Sequence, residues 1–572
     1  MRIDAFHKSN LKNNHISKTY HIINVPRGTF MLLFLFLYSC SHNLETRSRP
    51  NIVWIVAEDL SPVIPSFGDS TIVTANLSRL AKDGICYDRV FSPSGVCSPS
   101  RAAIATGMYP THIGANHMRT GPWFPGVPES FIQQYAKNAM PAGLTPYETV
   151  PASEIRMVSE LLRADGYYCT NNSKEDYQFR KSPMAWDESS RNAHWRGRAQ
   201  EQPFFSVFNI NVTHESQIWA KASDSLWIDS TMKIPVPPYL PNTSKAKKDV
   251  RRMYSNIKEM DNRVGKIIDE LEDEHLLEDT YIFWYTDHGG PLPRQKRLLY
   301  DSGIRVPMII RLPGKKHASS RDDQLISFID FAPTILSIAG VKPPDYMDGR
   351  AFLGEYAANK KRDFIHAAAD RFDESPVDRI RAVRNERFKL IKYFDQELPM
   401  FLHVRYRDQM GIMQELHRLR EVGQLTMDQA LWFRESKPEY ELFDLENDPH
   451  ELHNLYRIED YADIQKDLTT ELNRWLGSFE DLNMIPEEEL VERFWPGGQQ
   501  PVTETPLITR SDSNISLSCR TKGASIGYQI VTESDSISTW QVYSKPLQLG
   551  ENQTLRVIAH RIGFKTSEEI VL

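Results

Sequence analysis

Four runs of consecutive apolar residues constrain the fold of this chain more than any other feature. The first is Asn51 to Val56 (Asn-Ile-Val-Trp-Ile-Val), and the others are Phe204 to Ile210, Thr280 to Tyr285 and Pro307 to Arg311. Uninterrupted apolar residues of strand length are typical of strands that are buried on both faces. Such strands need helices on both sides of their sheet, so the runs predict an α/β fold with a largely parallel central sheet.

Two amphipathic segments supply helices for that fold. Residues Thr74 to Gly84 predict a helix that ends in a glycine suited to a C-cap. A longer helix is predicted from about Ala246 to Glu272, because apolar residues recur there every three or four positions. These apolar residues are Val250, Met253, Ile257, Met260, Val264, Ile267, Ile268 and Leu271.

The pattern changes in the last third of the chain. Residues Arg381 to Tyr393 and Tyr440 to Leu445 predict strands of a smaller antiparallel sheet, and Tyr461 to Leu476 predicts a helix packed on it. Residues Thr503 to Leu572 are rich in Ser and Thr and contain short alternating runs, which predict a small β-sandwich. The predicted parts are a leader over 1–40, an α/β domain over 41–360, a subdomain over 361–497 and the β-sandwich over 503–572.

Composition excludes several other classes of protein. The chain has 572 residues, of which 40% are hydrophobic and 25% charged, a balance typical of folded proteins and not of disordered or polytopic membrane proteins. Its formal net charge is -7, so no positive excess exists to neutralise a nucleic-acid backbone, and no nucleic-acid partner is expected. Five cysteines in a chain of this length exclude a disulfide scaffold.

The N-terminal segment resembles an export signal. An apolar run from Phe30 to Tyr38 follows Arg27 and is too short to span a bilayer comfortably, which fits the h-region of a secretory signal. The run leads into Ser39 and Cys40, and this junction is similar to a bacterial lipobox, whose cysteine becomes lipidated. Ordinary cleavage near Ser39 is the alternative. We expect a bacterial protein exported to the periplasm or to the outer membrane. If the junction is a lipobox, Cys40 carries a lipid anchor.

The segment Val96 to Gly107 (Val-Cys-Ser-Pro-Ser-Arg-Ala-Ala-Ile-Ala-Thr-Gly) carries the strongest chemical signal. It predicts a loop that enters a helix, where Pro99 turns the chain. The helix N-terminus and Arg101 both favour an anion nearby, and they would shift the thiol of Cys97 toward the thiolate. From these residues alone, a buried structural cysteine is the alternative.

The same segment resembles the signature of the sulfatase family, Cys-x-Pro-Ser-Arg followed by Thr-Gly. The resemblance implies an alkaline-phosphatase-like fold and conversion of Cys97 to Cα-formylglycine by a maturation enzyme. In that family the hydrated aldehyde attacks sulfur, and the hemiacetal sulfate expels sulfate through its second hydroxyl, which is nucleophilic catalysis. Ala105 stands at a packing position where the family usually has leucine.

Polar residues after two of the predicted strands are candidate metal ligands. Glu58 and Asp59 follow the first apolar run, and Asp287 and His288 follow the third. Carboxylates at the carboxyl ends of strands in an open α/β sheet point into the ligand-binding crevice. The resemblance implies that these four residues and Cys97 hold one divalent cation, and carboxylate oxygens favour Ca²⁺. Glu58 replaces the family's aspartate and His288 an amide, which leaves Mg²⁺, Mn²⁺ and Zn²⁺ open.

Three basic residues are candidates for stabilising the sulfate. Lys296 lies in the stretch Pro291 to Pro307, which resembles the sulfatase segment whose lysine touches the sulfate. Lys174 aligns with the lysine of the family's Gly-Lys-x-His element. A compact ammonium group suits a tetrahedral anion, and the resemblance adds Arg101 of the signature as a third cation.

The family's histidine two residues after that lysine is replaced by Asp176. In the family this histidine orients the nucleophile or helps to break down the hemiacetal, so the resemblance requires another group in its place. His117, in the stretch Gly114 to Arg119, is the candidate at the substrate site, and a structural histidine is an equally good interpretation of it.

His214 is the candidate general acid. It follows the run that ends at Ile210, in Thr213-His214-Glu215-Ser216, at the spacing where sulfatases have a Pro-His. In the family that histidine contacts the leaving group, and a general acid must protonate the leaving oxygen or nitrogen.

The resemblance runs from about Arg49 to Leu455 and points to heparan N-sulfatase (N-sulfoglucosamine sulfohydrolase) and its bacterial relatives. The stretches Val236 to Thr243 and Glu259 to Gly265 carry that likeness. Asp370 and Arg371 form a candidate substrate contact, with a salt bridge inside the subdomain as the alternative. The final segment resembles the β-sandwich appended to chitobiases and other bacterial glycan enzymes.

Taken together, these residues predict an exported sulfatase whose substrate partner is a sulfated glycan, either a glycosaminoglycan or a marine polysaccharide. One alternative is a phosphonate monoester or phosphodiester hydrolase, which shares the fold and sometimes the cysteine segment. Another is a non-catalytic lipoprotein that binds glycans. The departures at Glu58 and Asp176 leave this alternative open, and the intact Cys97, Arg101, Lys174 and Lys296 argue against it.

Overall fold

The four apolar runs form four adjacent strands at the centre of a nine-stranded sheet. The structure, a computed structural model, describes residues 49–123, 126–511, 514–532 and 539–572, without the side chain of Glu129. The strands of this sheet are β1 Asn51–Ala57, β2 Ile85–Phe91, β3 Tyr168–Asn172, β4 Glu188–Ser189, β5 Phe204–Ile210, β6 Thr280–Thr286, β7 Arg305–Arg311, β8 Ser320–Asp322 and β9 Ile326–Ser327. Their order is β4-β3-β5-β1-β6-β7-β2-β8, and β9 pairs with β2.

The sheet is mainly parallel, as predicted. β1 pairs parallel with β5 on one side and with β6 on the other. Val53 and Ile55 of β1 enter one apolar core and Trp54 and Val56 enter the other, which is why this run shows no polar alternation. The exception is β7, which contains the predicted run at Pro307 to Arg311 and is antiparallel to both β6 and β2.

The α-helices of the described residues are α1 Ala75–Asp83, α2 Cys97–Thr106, α3 Glu129–Ala139, α4 Val158–Ala164, α5 Ser216–Ala220, α6 Ser244–Asp273, α7 Asp301–Ile304, α8 Phe331–Ala339, α9 Gly411–Glu421, α10 Met427–Ala430, α11 Ala462–Leu476 and α12 Glu487–Phe494. Helices cover both faces of the sheet, because α1 and α6 bury side chains in the core on one face and α4 and α8 in the core on the other. The predicted long helix is α6, and all of its predicted apolar residues are buried except the partly buried Ile267. No helix in the described part of the chain is long and apolar enough to cross a bilayer.

The last third of the chain forms smaller sheets. An antiparallel sheet contains β10 Ile365–Ala369, β11 Ile380–Arg384, β12 Phe388–Tyr393 and β13 Tyr440–Asp444. Helix α11 packs on it through Leu468, Leu472 and Trp475. Beyond it, the strands are β14 Leu507–Ser511, β15 Asn514–Ser518, β16 Ser525–Val531, β17 Gln541–Val542, β18 Thr554–His560 and β19 Ile570–Val571. They form a two-stranded and a four-stranded sheet that share one apolar core, as a β-sandwich requires.

Two predictions about chain organisation stay predictions. Arg49–Leu572 cluster as one unit, and the predicted domain boundaries inside it are not tested by that clustering. The predicted leader and its lipobox cysteine, Cys40, lie outside the described residues.

Gly84 follows α1 as predicted, but the reason for the glycine is different. Its φ is −137°, an extended conformation open to any residue, and not the left-handed conformation of a glycine C-cap. A Cβ on Gly84 would lie 2.6 Å from the carbonyl oxygen of Ile310 in β7 and 3.0 Å from that of Leu80. The end of α1 therefore approaches β7 too closely for any side chain.

The effect of replacing Gly84 on the free energy of unfolding tests the importance of this close approach. Gly84→Ala should lower the free energy of unfolding by roughly 1–3 kcal/mol, because the backbone must move to admit the methyl group. Urea denaturation measures the change. Gly477→Ala is the matched control, because Gly477 also follows a helix, has φ −88° and would place its Cβ 3.3 Å from the nearest atom. It should stay within about 1 kcal/mol of wild type, and equal losses in the two variants would contradict the steric argument.

Candidate active site

Cys97 is the first residue of α2 and lies beside the carboxyl ends of three parallel strands. Every residue of α2 is buried, and Cys97 has no exposed surface. Because β5, β1 and β6 are parallel neighbours, the residues that follow them meet at one edge of the sheet. The residues brought together in this way are His214 and Glu215 after β5, Glu58 and Asp59 after β1, and Asp287 and His288 after β6.

Four side chains form a group that could hold a metal ion. The ligand atoms of Asp59, Cys97, Asp287 and His288 all lie within 4.8 Å of one another. His288 Nε2 is 3.0 Å from Asp59 Oδ1 and 3.3 Å from Cys97 Sγ. The backbone N–H of Asp59 donates to Asp287 Oδ1 at 3.2 Å, which ties the two strand ends together. Two carboxylates and an imidazole suit a divalent cation.

Glu58, the remaining predicted ligand, directs its carboxylate toward cations. Its Oε2 lies 2.9 Å from Lys174 Nζ, and its Oε1 lies 3.8 Å from Arg101 Nη2. It is not in the four-residue group but belongs to a second acid-rich group with Asp59 and His214. The longer glutamate stem therefore extends the carboxylate to the lysine.

The three predicted sulfate-binding cations all reach carboxylates of this site. Arg101 Nε donates to Asp287 Oδ2 at 3.0 Å, and Lys296 Nζ donates to Asp59 Oδ2 at 2.7 Å. Lys174 Nζ lies 3.8 Å from Asp287 Oδ2. Since both aspartates are fully buried, these pairs offset the free energy that burying their charges would otherwise cost.

The lysines control the charge at residue 97. Burial raises the pKa of the Cys97 thiol, but Lys174 and Lys296 outweigh burial and lower that pKa to about 6. Burial also raises the pKa of Asp59, and Lys296 and His214 hold it well below the usual range nevertheless. The protein therefore stabilises negative charge at the position where the sequence predicts a nucleophile.

His214 is held between a hydroxyl and an ammonium group. Its Nδ1 lies 2.8 Å from Ser216 Oγ, and its Nε2 lies 3.2 Å from Lys296 Nζ. An ammonium group can only donate, so Nε2 accepts from Lys296, and Nδ1 accepts from the backbone N–H of Ser216 at 3.3 Å. His214 can donate from Nε2 only after Lys296 has turned toward another anion and Nε2 has taken up a proton.

Asp176 and His117 occupy different surroundings. Asp176 Oδ1 accepts a hydrogen bond from Ser98 Oγ at 2.7 Å, directly beside Cys97 in the chain. His117 is fully buried, and burial lowers its pKa to about 4. Its Nδ1 accepts from the backbone N–H of Arg371 at 3.4 Å. The structure does not bring His117 to the ligand atoms around Cys97, and this arrangement matches the structural alternative for it.

Asp370 and Arg371 form buried ion pairs. Arg381 Nη1 lies 3.0 Å from Asp370 Oδ1, and Arg371 Nε lies 2.7 Å from Glu487 Oε2. Asp370 and Arg371 have no exposed surface. The structure therefore shows the salt-bridge alternative for both residues, and their charges are compensated inside the protein.

Glu215 and Arg297 are two members of the site that the sequence analysis did not single out. Arg297 donates to both carboxylate oxygens of Glu215, at 2.8 and 2.9 Å, and Lys296 Nζ lies 3.2 Å from Glu215 Oε1. The backbone N–H of Glu215 donates to Asp59 Oδ2 at 2.7 Å. Each residue directly follows a predicted catalytic residue, His214 or Lys296. That adjacency was the only sequence signal for them.

Comparison with known proteins places the chain among sulfatases. The family model named Sulfatase matches residues 50–341, and the model for the C-terminal part of N-sulphoglucosamine sulphohydrolase matches residues 294–428. An ulvan-active sulfatase of Formosa agariphila is 49% identical over 563 residues, which cover 92% of each chain. Human N-sulphoglucosamine sulphohydrolase is 24% identical, over 75% of this chain and 90% of its own.

A solved structure shares the fold. It is a protein in complex with its substrate D-glucosamine-2-N,6-O-disulfate, and it aligns with a TM-score of 0.52 at 16% identity. The alignment covers 76% of this chain and 99% of that one.

The buried pair of Arg371 and Glu487 predicts a pH-dependent loss of stability. Glu487→Gln should lower the free energy of unfolding at neutral pH by about 3–5 kcal/mol, because it leaves Arg371 buried without a counter-charge. Burial raises the pKa of Glu487, but His117, when protonated, and Arg371 outweigh burial and lower it to about 2. A lowered carboxyl pKa stabilises the fold above the unfolded-state pKa of 4.5. The difference between wild type and variant should therefore shrink as the pH falls from about 5 toward 2.

Urea denaturation of both proteins across this pH range makes the measurement. The control is Glu480→Gln, whose partner Arg493 and whose own side chain are at least half exposed. That variant should change stability by less than about 1 kcal/mol. A pH-independent loss in Glu487→Gln would show that packing, and not the charge pair, carries the effect.

Proposed function

The chain belongs to the sulfatase family, and we propose that it removes sulfate groups from a sulfated polysaccharide of the ulvan type with a nucleophile made from Cys97. The observation that carries the proposal is the arrangement around the fully buried Cys97, whose thiol lies in one cluster with Asp59, Asp287 and His288, with ligand atoms within 4.8 Å of one another. Lys174 and Lys296 pair with carboxylates of the same site, at 2.9 Å from Glu58 and 2.7 Å from Asp59. The substrate class rests on the Formosa agariphila relative at 49% identity over 92% of both chains. A glycosaminoglycan is the second candidate, favoured by the human relative at 24%.

The oxidised form of residue 97 is part of this proposal. A formylglycine-generating maturation enzyme converts Cys97, and the hydrated aldehyde supplies both the attacking oxygen and the hydroxyl that later releases sulfate. Cys97 has no exposed surface in the folded chain, so conversion must come before folding is complete.

One divalent cation, which we assign as Ca²⁺, is the second part. Asp59, Asp287 and His288 would hold it together with residue 97, because their ligand atoms are already within 4.8 Å of one another. Such a cation supplies Lewis-acid stabilisation of sulfate oxygens and favours ionisation of a bound hydroxyl. The fully buried carboxylates Asp59 and Asp287 are the hard oxygen donors that Ca²⁺ prefers.

Basic side chains of the protein would provide further electrostatic stabilisation of the sulfate. Arg101, Lys174 and Lys296 surround the position of residue 97. They would bind the sulfate oxygens and stabilise the negative charge that develops as the bond between sulfur and the leaving oxygen breaks. When Lys296 turns toward the sulfate, it releases His214 Nε2, which lies 3.2 Å from it. Once Nε2 has taken up a proton from water, the doubly protonated His214 gives that proton to the leaving oxygen of the sugar.

We also propose that the enzyme is exported and anchored at Cys40. Support comes from the apolar run Phe30 to Tyr38 and the lipobox-like junction that follows it. A bacterial enzyme that degrades a polymer outside the cell needs to be held at the periplasm or the outer membrane.

Removal of the nucleophile tests the proposed reaction. The protein co-expressed with a maturation enzyme should release free sulfate from ulvan oligosaccharides, measured by ion chromatography, and Cys97→Ala should reduce release to background. Cys519→Ala is the control, because that free cysteine is remote in sequence and only partly buried, and it should keep wild-type activity. Mass spectrometry establishes conversion of residue 97. A fully converted enzyme that releases no sulfate from ulvan or glycosaminoglycan fragments would overturn the proposal.

Substitution of His214 tests the general acid. His214→Asn should lower kcat on a sulfated sugar by about 10²–10⁴-fold, because the departing alkoxide is a strong base and needs a proton. The loss should be far smaller on 4-nitrophenyl sulfate, whose phenolate leaves without assistance. The control is His450→Asn, which replaces an exposed histidine outside the cluster at Cys97. An equal loss on both substrates would instead assign His214 to binding or structure.

A further inference from the structure

Two cavities flank the cluster at Cys97 and share one wall. The larger has a volume of about 560 Å³ and includes Lys174 in its lining. The second, of about 430 Å³, includes His214 and Lys296. Arg119 and Tyr135 line both cavities. Lys174 Nζ lies 3.8 Å from Asp287 Oδ2 and Lys296 Nζ lies 2.7 Å from Asp59 Oδ2, so both cavities lie beside the cluster at Cys97.

The backbone of Arg119 is held in a conformation that costs free energy. Its φ is 62°, in the left-handed region that residues other than glycine seldom adopt. The preceding residue fixes it there, because the backbone N–H of Met118 donates to the carbonyl oxygen of Arg371 at 2.7 Å. Arg371 Nη1 in turn donates to the carbonyl oxygen of Met118 at 3.3 Å. The fold thus aims the Arg119 side chain, through the buried Arg371, toward the shared wall.

The guanidinium group of Arg119 has unused hydrogen-bond donors. Its ion pair with Asp176 spans 3.8 Å from Nη2 to Oδ2, longer than a hydrogen bond, and Asp176 Oδ1 already accepts from Ser98. Within the described residues, we find no hydrogen bond from this guanidinium group, and a third of the side chain is exposed. A planar fork of donors in this state matches a carboxylate or a sulfate.

The two other arginines of the smaller cavity are already paired. Arg297 donates twice to Glu215, and Arg405 Nε donates to Glu374 Oε1 at 3.1 Å. Arg119, whose ion pair with Asp176 is longer than a hydrogen bond, is therefore the arginine of the shared wall that can take a ligand without breaking a hydrogen bond.

Tyr135 adds a second unused donor at the same place. Its hydroxyl oxygen is buried and has no hydrogen-bond partner among the residues that the structure describes. A buried phenol without a partner costs free energy, which a bound acceptor would recover. Arg119 and Tyr135 thus place two kinds of hydrogen-bond donor, a guanidinium group and a phenol hydroxyl, at the wall shared by the two cavities.

We propose that Arg119 and Tyr135 form a second oxyanion subsite, which binds a carboxylate or a second sulfate of the glycan while its first sulfate lies at residue 97. This inference rests on the proposed function, because it concerns the substrate of that same site. It makes the enzyme selective for saccharides that carry two anionic groups, such as a sulfated sugar linked to a uronic acid. Arg119 is then a specificity-determining residue, and the transferred sulfate is bound by Arg101, Lys174 and Lys296.

Matched saccharides test the subsite. The first pair is a sulfated disaccharide with a uronic acid and the same disaccharide with its carboxyl group reduced to the alcohol. The second pair is a disulfated and a monosulfated form of one neutral saccharide. Sulfate release gives kcat and KM for wild type, Arg119→Gln, Arg119→Lys and Tyr135→Phe. The control is Arg405→Gln, which removes an arginine of the smaller cavity that already has a partner.

The subsite predicts a selective effect on substrate binding. Wild type should favour the dianionic member of at least one pair, and which pair it favours distinguishes a carboxylate from a second sulfate. Arg119→Gln should raise KM for that substrate by about 10- to 100-fold with little change in kcat, and it should not affect the monoanionic partner. Arg119→Lys should recover part of the loss, Tyr135→Phe should show a smaller loss of the same kind, and Arg405→Gln should keep the wild-type ratio.

Two results would overturn the subsite without touching the proposed function. One is a wild-type enzyme that releases sulfate equally well from both members of both pairs. The other is an Arg119→Gln variant that loses kcat equally on every substrate, which would assign Arg119 to the transferred sulfate. Absence of sulfate release from all four saccharides and from ulvan, by converted wild-type enzyme, would overturn the proposed function itself.

Discussion

The charge pairs buried at the carboxyl ends of β5, β1 and β6 are the interactions on which the site depends. Asp59 and Asp287 have no contact with water, and each buried ion would cost several kcal/mol without a partner. Their partners come from different parts of the chain: Arg101 from α2, Lys296 from the loop before α7, and His288 from the end of β6. The carboxylates can be buried only when all of these elements are in place, so the site and the fold form together.

That dependence explains which parts of the site could be predicted from sequence. An apolar run without alternation marks a strand buried on both faces, and parallel neighbours bring their following residues to one edge. Glu58, Asp59, Asp287 and His288 are therefore predictable as neighbours once the runs at Asn51 and Thr280 are recognised. The signature around Cys97 supplies the rest, because a helix N-terminus beside this edge is where an anion is stabilised.

The parts that could not be predicted depend on contacts between distant segments. Burial on both faces does not specify direction, so the run in β7 gave no sign that it is antiparallel. Gly84 looks like a helix C-cap locally, and only the carbonyl of Ile310 explains it. The surroundings of His117 and of Arg371 are likewise set by segments more than a hundred residues away, among them Glu487. A residue type alone does not distinguish a binding group from a buried structural one.

Two of the departures from the family pattern, Glu58 and Asp176, both interact electrostatically with Lys174. Glu58 Oε2 lies 2.9 Å from Lys174 Nζ, and the charge of Lys174 also helps to lower the pKa of the buried Asp176, after the larger effect of Arg119. An acid in place of a histidine adds negative charge beside the nucleophile, which would weaken sulfate binding unless another cation balances it. Arg119 lies 3.8 Å from Asp176 and provides that cation. The departures therefore preserve the charge balance that an anionic substrate requires, and they do not favour a protein that has lost its catalytic site.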